Sequence, residues 1–317
     1  MPSKRIAYID TAKTICIFLM VVGHWTSNDV LIKYIYSFHM PALFIISGYL
    51  YKPRPWHKTF LSFGVPVAFY SLLNLCFLVA IREIPVSSIC SKEMFFRFFH
   101  YRYGLGDGLY MGDWFIWALL GLRLLFGDIK YFSLFRKYFY IIGACVILYM
   151  SIESYLLNID RVFRGWYIGL FIPSLPFFCL GFLLKDNKWN PNTVSNSCLF
   201  LLFILFLLMP MLNGLCSINS HEYGYSYAIY FINASASTLL VFVISYRIPS
   251  TRFCTVISKG TLLILGIHMP LIKILNGLLP LNFSYAVPVV VLILCYFPIK
   301  WLDKWCPPLL GRLKLPF

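Results

Sequence analysis

The sequence is poor in charge: only 12% of its 317 residues are Asp, Glu, Lys or Arg. Soluble domains carry about twice that fraction, so a water-facing globular protein is excluded. Acidic residues are scarcest, 12 against 27 Lys and Arg, for a formal net charge of +15. The ten cysteines form no C-x-x-C pair. Most of them, such as Cys16, Cys76, Cys145 and Cys295, lie inside apolar runs and read as small packing residues rather than a disulfide framework. Cys90 and Cys216 fall in loops, where pairing stays open. There is no Gly-rich phosphate loop, no G-x-S-x-G nucleophile elbow, and no carboxylate or cysteine at ligand spacing from a histidine. No metal site is expected.

What the chain has is apolar surface: 60% hydrophobic residues, 19% aromatic, and a mean hydropathy of +0.76. A chain of this size has too little interior to hide it from water. At roughly 20 residues per span plus short connections, about ten crossings fit. The expected class is therefore an all-α integral membrane protein with about ten transmembrane helices, organised as a single transmembrane domain over 1–317 without a separate soluble domain. No tandem repeat or low-complexity tract interrupts it.

Apolar runs bounded by polar or basic clusters predict helices over about 9–26, 34–51, 59–81, 113–127, 138–151, 166–184, 196–213, 226–246, 259–276 and 284–301. Pro41, Pro66, Pro173, Pro176 and Pro270 interrupt several, which membrane helices tolerate where neighbours re-satisfy the freed carbonyls. Lys4 and Arg5 precede the run Ile15 to Gly23 as in a secretory signal, but no small-residue cleavage site follows, so the run reads as a retained span. Ten crossings place both termini on one side. With both inside, seventeen Lys and Arg fall in inner loops and seven in outer ones. That bias predicts N-in/C-in and accounts for the net charge, so no nucleic-acid partner is expected. Lys13, Arg123 and Lys273 are left within or beside spans. The segment 83–112 interleaves Phe95, Phe96, Phe98 and Phe99 with Lys92, Arg97, His100 and Arg102, a pattern suited to a helix lying in the interface.

Ionisable groups within spans are costly and mark function. Of six histidines, His24, His39 and His268 fall in or at the ends of apolar runs. Histidine is the commonest general base, and a buried imidazole bonded between helices is the structural alternative. Lys13 and His24 are eleven residues apart, so they share a helix stripe and are separated by about 16 Å along the axis. A cation near the inner mouth could hold a phosphorylated carrier while a deeper base meets its reactive end; alternatively Lys13 snorkels to the surface. His39-Met40-Pro41 and His268-Met269-Pro270 repeat a tripeptide whose proline frees a carbonyl one turn earlier, available to an imidazole or a substrate hydroxyl.

These residues carry a resemblance. Arg5-Ile-Ala-Tyr-Ile-Asp10-Thr-Ala-Lys13 followed by an apolar run to Gly23-His24 resembles the opening of the membrane acyltransferase 3 family, integral-membrane O-acyltransferases of glycans. Its basic-x10-His motif is matched by Lys13 and His24. Phe38-His39-Met-Pro-Ala-Leu-Phe-Ile-Ile-Ser47-Gly48-Tyr49-Leu50 is similar to the next signature, Trp114-Phe115-Ile116 to its Trp-Phe-Leu segment, and Ile264-Leu-Gly266-Ile-His268-Met-Pro270 to its late Tyr-Leu-x-His-x-Pro segment. Lys13 stands where many members have arginine, and Gly266 where a bulky residue is usual. The chain resembles the stand-alone form of the family.

The resemblance implies about ten transmembrane helices, a cytoplasmic acyl-CoA co-substrate (usually acetyl-CoA, with no bound cofactor), and a glycan hydroxyl as acceptor. It also implies the inner membrane of a bacterium. Acyl transfer from a thioester needs a base, donors for the developing oxyanion, and alignment of both substrates. His24 is the expected base, acting on the acceptor hydroxyl or passing the acyl group onward, with His39 orienting it or sharing its proton. Lys13 and Arg5 would receive the CoA phosphates, with Asp10 holding Lys13. His268 and Trp114 are candidate pocket residues; Trp25, Tyr36, Trp114 and Trp117 are candidates for sugar stacking or interfacial anchoring. Two other readings are kept: a transporter of a lipid-linked oligosaccharide or small anion, and a non-catalytic membrane partner in a polysaccharide-assembly complex.

Overall fold

The structure is a computed structural model that describes residues 6–92, 113–127, 129–156 and 167–312. Among the described residues it is about 80% helical, with one strand pair of two residues each. In chain order the helices are α1 (Ala7–Trp25), α2 (Asp29–Tyr36), α3 (His39–Tyr49), α4 (Trp56–Ala80), α5 (Asp113–Leu125), α6 (Ile129–Leu156), α7 (Phe171–Asp186), α8 (Asn196–Asn213), α9 (Tyr227–Arg247), α10 (Arg252–Lys259), α11 (Thr261–Leu278) and α12 (Val287–Trp305). Strands β1 (Cys216–Ser217) and β2 (Glu222–Tyr223) pair antiparallel between α8 and α9.

Among the described residues, seven helical stretches are long and apolar enough to cross a membrane: α1, α2 with α3 (Asp29–Tyr49), α4, α8, α9, α11, and Ser284–Trp305. Each apolar run named above has a helical counterpart. Two differ in form. The run 34–51 is broken at Ser37–Phe38, where Phe38 takes φ −150° and ψ −24° and ends the helical ladder between α2 and α3. The run 259–276 is preceded by a separate short helix, α10. Most of the segment 83–112 lies outside the described residues.

Local chemistry sets the ends. The Asn28 side chain accepts from Leu31 N at 3.0 Å and starts α2; Ser195 Oγ accepts from Cys198 N at 3.2 Å and starts α8, both ordinary N-caps. Gly214, at φ 81°, terminates α8, a backbone angle that favours glycine.

The chain divides into two compact units. The first gathers Met1–Lys52, Ser133–Ile159 and Ile172–Ser258. Here α1 packs on α2, α3 and α9, and α9 on α3 and α8. The backbones of α3 and α7 meet at two glycines: a Cβ on Gly48 would lie 2.0 Å from the Phe178 carbonyl oxygen, and one on Gly181 would lie 1.8 Å from that of Ile45. Tyr227 Oη donates to the Pro173 carbonyl at 2.6 Å. By contrast α8 turns Phe200, Leu201, Leu208 and Leu212 outward, the surface a lipid-facing helix presents.

The second unit gathers Pro53–Phe132, Asp160–Phe171 and Lys259–Phe317. There α4 packs on α5 and α11, and α11 on α12. Arg123 lies over the Phe63 ring at 5.7 Å, and Lys273 pairs with Glu83. Asp303 accepts from Lys259 at 2.6 Å and from Arg312. All ten cysteines are free thiols, so Cys90 and Cys216 do not pair. Burial pushes the Cys216 thiol up to about 12, which keeps it inert at neutral pH.

Candidate active site

Lys13 and His24 stand on one unbroken helix, α1, as their spacing requires. Lys13 Nζ donates to the Ser258 carbonyl at 2.9 Å, while Ser258 Oγ donates to Asp10 Oδ1 at 2.7 Å. One turn on, Thr14 Oγ1 lies 3.1 Å from the Cys254 carbonyl. Asp10 and Lys13 thus converge on Ser258, and α10 is pinned along α1. With α10 ending at Lys259, the Ser258 carbonyl lies in its last turn, where carbonyls lack intrahelical donors and attract a cation.

At the other end of α1 three rings gather. Tyr36 Oη lies 3.4 Å from His24 Nδ1 and 3.5 Å from the Gly23 carbonyl. Its ring centroid is 5.9 Å from that of His24 and 5.2 Å from that of His39. His24 and His39 thus meet on one tyrosine. The absence of a side chain at Gly23 makes room, since a Cβ there would lie 2.8 Å from Tyr36 Cε1.

His39 opens α3 and is buried. Its Nδ1 lies 2.7 Å from the Ile35 carbonyl, bridging the break between α2 and α3. A carbonyl only accepts, so Nδ1 carries the proton and Nε2 is the basic nitrogen of the neutral ring. His268, in the second unit, is built alike: Nδ1 lies 2.9 Å from the carbonyls of both Ile264 and Leu265. The carbonyl freed by Pro270 is that of Gly266, four residues earlier. It does not go to the imidazole; Asn74 Nδ2 donates to it at 2.7 Å. Gly266 itself accommodates Tyr70, whose Cγ would lie 2.5 Å from an added Cβ, so an aromatic ring from α4 occupies the space a bulky residue would fill.

Trp114 is also in the second unit, buried on α5 with its ring edge-on to Phe115 at 6.1 Å. Its burial argues against an interfacial anchor. Arg5 lies outside the described residues. Among the described residues no group of three or more His, Cys, Asp or Glu side chains could hold a metal ion.

One contributor escaped the sequence, and a second was named there for a different role. Ser258 has no local signal, being 248 residues from Asp10. Tyr36 had one: a glycine directly before a histidine on an apolar helix marks a close approach, and an aromatic residue from the next helix fills it.

Chemically, the first unit offers a cation held against a helix end and, about 16 Å along the same helix, an imidazole that shares a tyrosine ring with a second imidazole. The profile of an acyltransferase domain family matches residues 6–302. Nodulation protein NolL of Sinorhizobium fredii (strain NBRC 101917 / NGR234) is 34% identical over 219 residues, 63% of this chain. The match spans 55% of that relative's own length. No solved structure matches.

Proposed function

Because the chain belongs to the membrane acyltransferase 3 family, we propose that it transfers an acyl group, most simply acetyl, from cytoplasmic acyl-CoA to a hydroxyl of a cell-surface polysaccharide, lipopolysaccharide or related glycan. The observation that carries this reading is α1, with Lys13 anchored at one end and His24 among Tyr36 and His39 at the other. The seven long helices, with α5, α6 and α7 as further crossings, make ten. With the cytoplasmic N-terminus and bacterial inner membrane of this reading, Lys13 lies near the inner face and His24 in the outer half.

In this reading Lys13, together with Arg5, meets the CoA phosphates as a point charge. His24 takes the proton of the acceptor hydroxyl as its oxygen bonds to the thioester carbonyl carbon. The tetrahedral intermediate then expels the CoA thiolate, to which the imidazolium returns its proton, leaving the ester and free CoA. His39 supports the proton transfer.

The test is thiol release from acetyl-CoA by detergent-purified protein, with and without an acceptor glycan pool. Acceptor-dependent release that disappears in His24→Ala, with expression intact, supports the reading, and Lys13→Ala should chiefly raise the KM for acetyl-CoA. No release from several acyl donors by well-folded protein would sink the enzyme assignment and favour a transporter.

A further inference from the structure

We propose that Tyr36 is the positioning residue for His24: its phenolic oxygen accepts the His24 Nδ1 proton and its hydroxyl donates to the Gly23 carbonyl, so that His24 presents Nε2 as its basic nitrogen. This rests on the acyltransferase reading and adds to it the atom that takes the acceptor's proton.

The direction of the chain follows from donor counts. A phenol has one proton and a carbonyl only accepts. If the Tyr36 proton goes to Gly23 O, a lone pair faces His24 Nδ1, which must then be the N–H. Gly23 O is a fitting target. It lies in the last turn of α1, where carbonyls run out of intrahelical donors, and the N–H of Thr26, the residue ending the helix, goes to Val22 O at 2.9 Å. The two Tyr36 contacts, 3.4 and 3.5 Å, are long, as catalytic hydrogen bonds often are before substrate binds.

His39 cannot do this job with the same nitrogen, because its Nδ1 is committed to the Ile35 carbonyl at 2.7 Å. Gly23 is the enabling residue, since any Cβ there would displace the Tyr36 ring. During transfer, Nε2 takes the hydroxyl proton while the acceptor oxygen attacks the thioester carbonyl. The Nδ1 proton stays on Nδ1, still accepted by Tyr36, so one proton moves and no phenolate forms. When the C–S bond breaks, the Nε2 proton leaves with the thiol.

The experiment combines kinetics with ¹⁵N NMR of histidine-labelled protein in detergent, at alkaline pH where imidazoles are neutral. The His24 signals are identified by their loss in His24→Ala. Wild type should show a pyrrole-type Nδ1 and a pyridine-type Nε2 for His24, and Tyr36→Phe, which keeps the ring on Gly23, should shift the population toward the other tautomer. The same variant should lose kcat on the order of 100-fold, within the range of a general-base contribution, with the KM for acetyl-CoA within about twofold. A wild-type spectrum with the proton on Nε2, or a Tyr36→Phe protein with unchanged tautomer and kcat, overturns the proposal. Absence of any thiol release by wild type would instead overturn the acyltransferase reading, and the spectrum would still decide the role of Tyr36.

Discussion

His39 and His268 each head the sequence His-Met-Pro, and each directs Nδ1 to the carbonyl four residues back, Ile35 at 2.7 Å and Ile264 at 2.9 Å. The shared geometry gives both rings the same tautomer. The surroundings differ. His39 stands at a helix break, and Pro41 lies in the first turn of α3, where the missing N–H would be unsatisfied anyway. His268 sits inside unbroken α11, and Pro270 frees a mid-helix carbonyl that Asn74 takes up. His39 shares the Tyr36 ring with His24; the ring facing the His268 helix is Tyr70, whose hydroxyl is tied to the Leu309 carbonyl at 3.0 Å. The tripeptide fixes a proton on Nδ1 in either setting. Only the neighbours of the two rings differ.

The sharpest way to break the comparison is to remove the frame behind His39. Gly48→Ala would drive a methyl into the Phe178 carbonyl, where backbone faces backbone and no side chain can give way. The cost should exceed the 1–3 kcal/mol typical of overpacking. Size-exclusion chromatography and thermal unfolding in detergent should show little folded protein. A normal yield and Tm would mean that α3 and α7 do not cross so closely.

Next in size is the catalytic contrast. His39→Ala should lower kcat on the order of 100-fold and also lower Tm, because the ring is buried and bridges α2 and α3. His268→Ala should cost less than about tenfold in kcat while lowering Tm, because it leaves a cavity in a buried site. Equal losses of kcat would make both histidines catalytic and erase the asymmetry; a larger loss at position 268 would reverse it.

Much of this was legible in the chain. The spans stand out because apolar runs of this length have few other solutions, and the Lys13–His24 stripe because eleven residues are close to three helical turns. The break at Ser37–Phe38 was not, since the residues on either side are as apolar as in a continuous helix. The short helix α10 was hidden beside α11. Its tether to α1 depends on Ser258 meeting residues some 245 positions away, and single-sequence spacing carries no such information. The close approach of α3 and α7 at Gly48 and Gly181 joins residues over 130 positions apart, and neither glycine's local sequence marks it. Tyr36 read as an aromatic near the interface, because its hydroxyl partners lie on another helix. The unusual Gly266 makes sense only beside Tyr70, which a sequence cannot place.

The smallest effect tests whether Asn74 is to Pro270 what the helix break is to Pro41, the means of satisfying a proline-altered ladder. Asn74→Leu removes the donor to the Gly266 carbonyl and leaves a buried acceptor without it, a loss of about 1–3 kcal/mol. Pro270→Ala supplies the helical N–H that Gly266 would ordinarily receive and should by itself change stability little. The double variant should then recover most of the Asn74→Leu loss, giving a coupling of about 0.5–3 kcal/mol in a double-mutant cycle. Thermal or denaturant unfolding in detergent measures it. Additive losses would show that Asn74 stabilises the second unit by packing alone, and that the proline in α11 is satisfied by some other donor. At Pro41 the same replacement should show no coupling to any single side chain, because a first-turn proline leaves nothing to be rescued.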